Sequence, residues 1–485
     1  MNKSSHNAEW NRRFHTMIVW GAAGVLLFLN SCMAGPKYRR PIAPSPPAFK
    51  EEFPIGWEEA QPSDGALRGA WWKVYNDPIL DGLEDQVSIS NQNVLAAEAQ
   101  FRAAREAVHV TRAAEFPLVT VAPSTTRSAT GALPVVHPYT VPIDVTYQAD
   151  VWGNIRHSTA ANSAVAQASA AELENARLLY QAELAIDYFQ IQGLDAERQL
   201  LDAAVKSYEQ FVQLTQDRFG GGVASMGDVA LAQTQLETTR IQLVDLQVQR
   251  AQFEHAIAVL TGKPPSDLSI PATASASMPP SVLVGIPSTL LERRPDIAAA
   301  ERQVAAANEQ IGVAKSALYP SLIFSASVGS QATAVGDLLS LPTRFWSVGP
   351  QVLQSLFDAG KRRSEVRLTE ATYDATVANY RQTVLSAVQQ VEDGLAQLRI
   401  LAEEAEVASR AVEAAQRSLE ISTIQYRGGI TNYLQVITAQ TSALQDQRAA
   451  AQILTRRRIA SVSLIHALGG GWDAAKLPSD RDLRR

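Results

Sequence analysis

Between Thr140 and Val151 the chain alternates. Val141, Ile143, Val145, Tyr147, Ala149 and Val151 fall on one side, and Thr140, Pro142, Asp144, Thr146, Gln148 and Asp150 on the other. A period of two with one apolar and one wet face predicts a β-strand. Residues 118–127 form a weaker partner strand. The plan recurs after Tyr319-Pro320, where Leu322, Phe324, Ala326 and Val328 alternate with Ser321, Ser325, Ser327 and Gly329. A last strand is expected over 345–357. The intervening loops are rich in Gly, Pro, Ser and Thr.

Behind each strand pair the period lengthens. Residues 143–263 and 351–475 contain no proline, although the chain has 24. Long helices are expected over 153–219 and 360–426, each about 100 Å long at 1.5 Å per residue. In the second, Tyr373, Val377, Tyr380, Val384, Val388, Val391, Leu395 and Leu398 recur at near-heptad spacing, with one phase shift that locally unwinds a supercoil. Periodicity alone leaves a homodimeric coiled coil open. Both helices end at glycine turns, Gly220-Gly221-Gly222 and Gly428-Gly429, suited to the left-handed conformation of a helix end. Return helices of about 35 residues follow. The two turn regions align at a constant offset of 207, with six of sixteen positions identical. The chain is therefore a duplicated unit of strand hairpin plus long helical hairpin, mainly α with a small β part.

This divides the chain into ten segments. Residues 1–31 read as a signal peptide and 32–65, with seven prolines from residue 33 on, as an extended tether. An N-terminal segment with a helix covers 66–114; Asp77 is expected to cap it and Pro78 to occupy its first position. The first hairpin covers 115–152 and the first helical hairpin 153–263. A connection at 264–294 and a helix at 295–318 lead to the second hairpin, 319–357, the second helical hairpin, 358–470, and a tail, 471–485. Lys3, Arg12 and Arg13 precede an apolar run at 17–29 that is too short for a confident membrane span. Leu29-Asn30-Ser31-Cys32 follows, and Cys32 is the only cysteine. This resembles a bacterial lipobox, with acylation at Cys32; an ordinary signal peptide with an incidental cysteine is the alternative.

Strands of about ten residues with one apolar face suit an outer-membrane barrel, or a soluble sheet with a packed core. Four strands cannot close a barrel, and an open edge cannot sit in lipid. Two copies would give eight strands, a size filled by side chains, and three would give twelve and a water-filled lumen.

Composition narrows the function. A net charge of −6 argues against a nucleic-acid partner, and 46% apolar content with only 7% aromatics suits long packed helices. Catalytic constellations, metal spacings and cofactor motifs are absent. His6, His15, His109, His137, His157, His255 and His466 are dispersed. Gly220-Gly221-Gly222 lacks the Lys-Ser/Thr of a phosphate loop.

Three motifs carry a resemblance. The first is Leu290-Leu291-Glu292-Arg293-Arg294-Pro295-Asp296-Ile297 with Ala306-Ala307-Asn308 and Tyr319-Pro320-Ser321-Leu322. The others are Leu356-Phe357-Asp358-Ala359-Gly360-Lys361-Arg362-Arg363, and Tyr426-Arg427-Gly428-Gly429 with Ala439-Gln440. Over about residues 66–472 the chain resembles the TolC-type outer membrane factors, in the lipoprotein branch that includes NodT and OprM. The resemblance implies a homotrimer, with a twelve-stranded barrel of four strands per protomer in the outer membrane and an α-barrel across the periplasm. It implies a passive exit duct for a tripartite efflux system of the RND type, with an inner-membrane transporter and a periplasmic adaptor as partners. A type I protein-secretion duct and a non-conducting coiled-coil lipoprotein scaffold are the alternatives. In that family the glycine turns Gly220, Gly221, Gly222, Gly428 and Gly429 form the periplasmic tip. Gln435 and Thr438 stand where acids are usual, and Asp228 occupies the first-repeat equivalent of Gln435. Three copies of Asp228 would form a carboxylate ring; otherwise Asp228 serves its own helix dipole. Tyr426 and Arg427 are candidates for closing contacts across protomers, and Arg427 is equally placed to be a solvated charge.

Overall fold

The structure is a computed structural model describing residues 33–51, 69–129, 131, 135–273 and 290–484. Cys32, the signal segment and most of the 264–294 connection lie outside these residues.

The first copy of the duplicated unit holds α1 (Pro78–Ser90), α2 (Gln92–Ala113), β1 (Leu118–Val121), β2 (Ser124–Thr125), β3 (Tyr139–Ala149), α3 (Asn154–Gly220) and α4 (Met226–Leu260). The second holds α5 (Leu290–Arg293), α6 (Pro295–Ser316), β4 (Ser321–Ala332), β5 (Arg344–Leu353), α7 (Lys361–Arg427) and α8 (Tyr433–Ala467), before a terminal turn of helix, α9 (Asp480–Leu483). The repeat is tighter than the sequence motifs suggest. Both ends of α3 and α4 map onto α7 and α8 at the same offset: 361 − 154, 427 − 220, 433 − 226 and 467 − 260 are all 207. Both ends of α2 map onto α6 at 203 (295 − 92 and 316 − 113).

The N-terminal helix expected as one piece is two. Asn91 sits extended between them, its side-chain oxygen accepting from the amides of Asn93 and Val94 and its Nδ2 donating to Leu260 O at 2.9 Å. A capping residue inside a helical pattern thus starts a second helix. Asp77 caps α1 through Ile79 N and Leu80 N, as read from the sequence.

The sheet is antiparallel in the order β1-β3-β4-β5, with β2 also on β3. β1 and β2 occupy successive stretches of one edge of β3, separated by Ala122-Pro123. Proline donates no amide to a ladder, so the weak partner strand is split there. Eleven register pairs join β3 to β4 and zip the two hairpins together. β5 stops at Leu353, short of the expected 357, because its partner β4 begins at Ser321, opposite Leu353. β3 ends at Ala149, and Asp150 turns the chain, accepting from Ile155 N and Arg156 N at the start of α3.

Register sorts the side chains. One face carries rows such as Val119–Val145–Ala326–Val348 and Val121–Ile143–Val328–Trp346. The other carries Thr120–Asp144–Ser327–Ser347 and Thr140–Gln331. The apolar face is bare: Val119, Val348 and Trp346 are 60%, 72% and 77% exposed. No helix among the described residues covers it, so it is not packed as a soluble core.

The helices bury apolar stripes against one another. Trp71 and Trp72 pack with Leu80 and Val87 of α1, Leu184 and Tyr188 of α3, Ile257 of α4 and Ile465 of α8. The near-heptad stripe of α7 meets Ile297 and Val304 of α6 and Ala460 and Leu464 of α8. It is satisfied within its own chain, which removes the motive for a homodimeric coiled coil.

Residues 33–51 are extended, as proline content predicts, but they are not loose. They form a strap along α6 and α7. Asn308 donates to Pro36 O, Tyr38 hydrogen-bonds Glu301, and Arg381 donates to Ile42 O. The Lys50 and Glu51 amides donate to the two Glu392 carboxylate oxygens, and Glu51 pairs with Arg399 at 3.0 Å.

Both copies close identically where the return helix ends. A Cβ on Gly262 (φ +72°) would lie 2.3 Å from Ser90 O, and one on Gly469 (φ +91°) 2.0 Å from Arg293 O. Buried Arg294 adds a clasp in the second copy, pairing with Asp296 at 2.6 Å and donating to Ala467 O at 2.9 Å. Left-handed strain alone costs about 1–2 kcal/mol. Gly262→Ala and Gly469→Ala should each lower Tm clearly, whereas Gly220→Ala, with open space around it, should not; equal Tm for all three proteins contradicts this closure. Glu84 of α1 is fully buried, and neither carboxylate oxygen has a hydrogen-bond partner among the described residues. Burial, then Asp85 and Asp81, pushes its pKa well above the ordinary carboxylate range. Its contribution to stability is therefore present below the unfolded-state pKa and lost as pH rises towards the folded one. Glu84→Gln should raise Tm at pH 8 and converge with wild type near pH 4; a parallel offset at both pH values contradicts this.

Candidate functional site at the helix tips

At the end remote from the sheet, the α3–α4 and α7–α8 turns lie side by side. Their backbones repeat bond for bond. Gly221 N, Gly222 N and Val223 N donate to the carbonyls of Asp217, Phe219 and Arg218; Gly428 N, Gly429 N and Ile430 N donate to those of Ile424, Tyr426 and Gln425. Gly222 and Gly429 take φ of +72° and +75°, a conformation that costs glycine little.

The side chains do not repeat. Ser225 and Asp228 form a reciprocal capping box: Ser225 Oγ accepts from Asp228 N, while Ser225 N and Oγ both donate to Asp228 Oδ2 at 2.9 Å. Half-buried Asp228 therefore serves its own helix start, with its second oxygen uncommitted. In the second copy Asn432 caps Gln435 N, and the Gln435 side chain bonds Thr431. Gln435 and Thr438 are exposed and border a pocket of about 370 Å³ between α7 and α8, lined also by Ser418, Ser422, Leu434 and Ser442. No charged residue lines it.

Tyr426 is turned inward. Its side chain is 4% exposed and packs with Phe211, Ala232, Tyr433 and Val436. Its ring centroid lies 5.5 Å from that of Tyr433. The ring is thus committed to its own protomer, away from the cross-protomer contact considered from sequence. Arg427 beside it is exposed.

Sequence reading missed Arg218. Its Nη1 donates to Tyr426 O at 2.7 Å, and its guanidinium lies 4.6 Å from the Tyr426 ring centroid, tying the end of α3 to the end of α7. At the 207 offset its counterpart is Gln425, so a search for duplicated positions passes over it. Tyr433 was missed for the same reason, since Met226 stands opposite it. Among the described residues, no three or more His, Cys, Asp or Glu side chains converge as a metal site.

A hydrogen bond to a charged group is worth about 1.5–3 kcal/mol. Arg218→Ala should lower the local opening free energy of the tip by about 2 kcal/mol and speed amide exchange across residues 219–232 about thirty-fold. Unchanged exchange there would mean the contact does not hold the turns together.

Comparisons with known proteins fit this architecture. A family model described as outer membrane efflux protein matches residues 83–263 and 286–470. TtgC of Pseudomonas putida, a probable efflux pump outer membrane protein, is 30% identical over 456 residues, covering 92% of this chain and 93% of the relative. Outer membrane protein OprJ of Pseudomonas aeruginosa is 28% identical over 463 residues, with 93% and 95% covered. The solved outer-membrane channel OprN matches with a TM-score of 0.83 at 29% identity, covering 91% of this chain and 100% of that one. VceC of Vibrio cholerae matches at 0.77 and 27%, covering 83% and 99%. The family match takes in both copies of the duplicated unit, tips included, and the chain therefore belongs to the outer membrane efflux protein family.

Proposed function

We propose that three copies of this chain form a passive outer-membrane exit duct of a tripartite efflux system for small molecules. The observation that carries this reading is the two-faced sheet, apolar on one side and polar on the other, with both edges open and helices of 67 residues leading away from it. Strands of 10 to 12 residues suit a tilted membrane crossing. Counting β1 and β2 as one interrupted strand, each protomer supplies four, and three protomers supply twelve. The polar rows line the lumen and the apolar rows face lipid.

The duct performs no chemistry. An inner-membrane transporter supplies the energy, and a periplasmic adaptor joins it to the helix tips. Acylation at Cys32 agrees with the strap. Met33, the next residue, packs against Gly153 at the junction of β3 and α3, and Ala34 N donates to Trp152 O at 3.0 Å. A lipid on the preceding residue would enter the membrane at the rim of the sheet.

At the tip, three copies of Asp228 would supply a carboxylate at the start of each first-copy return helix, with the neutral Gln435 and Thr438 at the second-copy positions. Single-channel recording of the purified protein in planar bilayers tests the reading. Low, rarely open conductance with cation preference is expected, and Asp228→Ala should weaken that preference. Absence of conductance under any voltage, including in the Arg218→Ala protein, would favour a scaffold; unchanged selectivity would remove Asp228 from the aperture.

A further inference from the structure

The apolar face of the sheet does not stop at Leu353. Past the end of β5, Leu356 and Phe357 are 95% and 89% exposed. A few residues on, α7 opens with Lys361, Arg362 and Arg363, followed by Arg367, and its first turn holds no acid. The other helix starts that carry an acid (Asp81 in α1, Asp228 in α4, Asp296 in α6) offset the positive end of the dipole. In α7 that part falls to Asp358, which lies just ahead of the helix and accepts from Gly360 N at 2.9 Å and Arg362 N at 3.4 Å.

Two of these cations are uncommitted. Arg362 donates to Ser355 Oγ at 2.7 Å and lies 3.8 Å from Asp358, while Lys361 is 3.8 Å from Glu365. Arg367 reaches only the Ser364 hydroxyl, at 2.9 Å. Arg363 makes no hydrogen bond or ion pair with any described residue. Helix geometry fixes the side they occupy. Arg399 and Arg381 both hold the strap, and they are 18 residues apart, five turns. Arg363 is five turns further on (381 − 363 = 18), with Arg367 one turn below it. The uncommitted arginines thus stand on the strap-bearing side of α7, just beyond the apolar band.

We propose that Arg363 and Arg367 bind the phosphate headgroups of glycerophospholipids in the leaflet that borders the helices, fixing the height of the sheet in the bilayer. The guanidinium fork matches phosphate oxygens bidentately. The rim is continuous with the membrane-facing band, where headgroups lie immediately outside the hydrocarbon. Free phosphate shares the chemistry but lacks the acyl chains that Leu356 and Phe357 would meet. This inference rests on the membrane reading of the sheet. If the wild-type protein does not float with phosphatidylethanolamine–phosphatidylglycerol vesicles, that reading fails, and the arginine assignment with it.

The test titrates the full chain in detergent with dioleoylphosphatidylglycerol and counts retained lipid by native mass spectrometry. Arg363→Gln/Arg367→Gln should bind the lipid about thirty-fold more weakly. Arg410→Gln/Arg417→Gln, an equal charge change about 65 Å or more down α7, should bind as wild type. Inorganic phosphate should not displace the lipid. Equal affinity in the two double variants overturns the proposal, as does displacement by inorganic phosphate. If the rim double variant fails to assemble, the single substitutions decide. Arg363→Gln should weaken binding about five-fold and Arg363→Lys less; no loss from either overturns the assignment.

Discussion

A backbone amide left unpaired in hydrocarbon costs several kcal/mol, and that constraint governs everything at the membrane end of this protein. β3 and β4 are paired on both sides, but β1 and β5 each present an unpaired edge, on a sheet whose apolar face is bare. Nothing among the described residues covers these edges. In lipid only another copy of the same sheet can pair with them. In the proposed barrel, closure would satisfy the edges and would place the apolar rows in lipid and the Thr, Asp and Ser rows around water. The long helices would then continue the proposed cylinder.

The duplication gives one chain two near-equivalent strand-and-helix units. Offsets of 203 and 207 preserve helix lengths, turn hydrogen bonds and the glycine closures at Gly262 and Gly469. Chemistry collects where the copies diverge. Asp228 faces Gln435 across the repeat, Arg218 faces Gln425, and Met226 faces Tyr433. The pocket bordered by Gln435 and Thr438 is uncharged, so the acid character of the tip rests on the first copy.

Much of this was legible in the sequence, and the reasons are physical. Period-two alternation gave the strands because one face is apolar throughout. The long helices stood out because they exclude proline over a hundred residues or more, and their turns because glycine alone reaches the required φ cheaply. What escaped reading depended on partners far along the chain. The break at Asn91 is fixed partly by Leu260 O, 169 residues away. β5 ends at Leu353 because β4 begins opposite it. Tyr426 looks like an available surface aromatic until Phe211 and Tyr433 enclose it. The strap reads as a tether because its anchors, Glu301, Glu392 and Arg399, lie hundreds of residues away.

Pairing of β1 with β5 between copies is the most direct test. Within one chain these strands are three spacings apart, about 14 Å, far beyond disulfide reach. Val119→Cys can be combined with a second cysteine at Trp346, Val348 or Pro350, all on the same face. In intact cells, at least one pair should give covalent dimers and trimers on non-reducing gels, with neither single variant doing so. A chain that stays monomeric in every combination, while folded and in the outer membrane, would contradict the closed barrel.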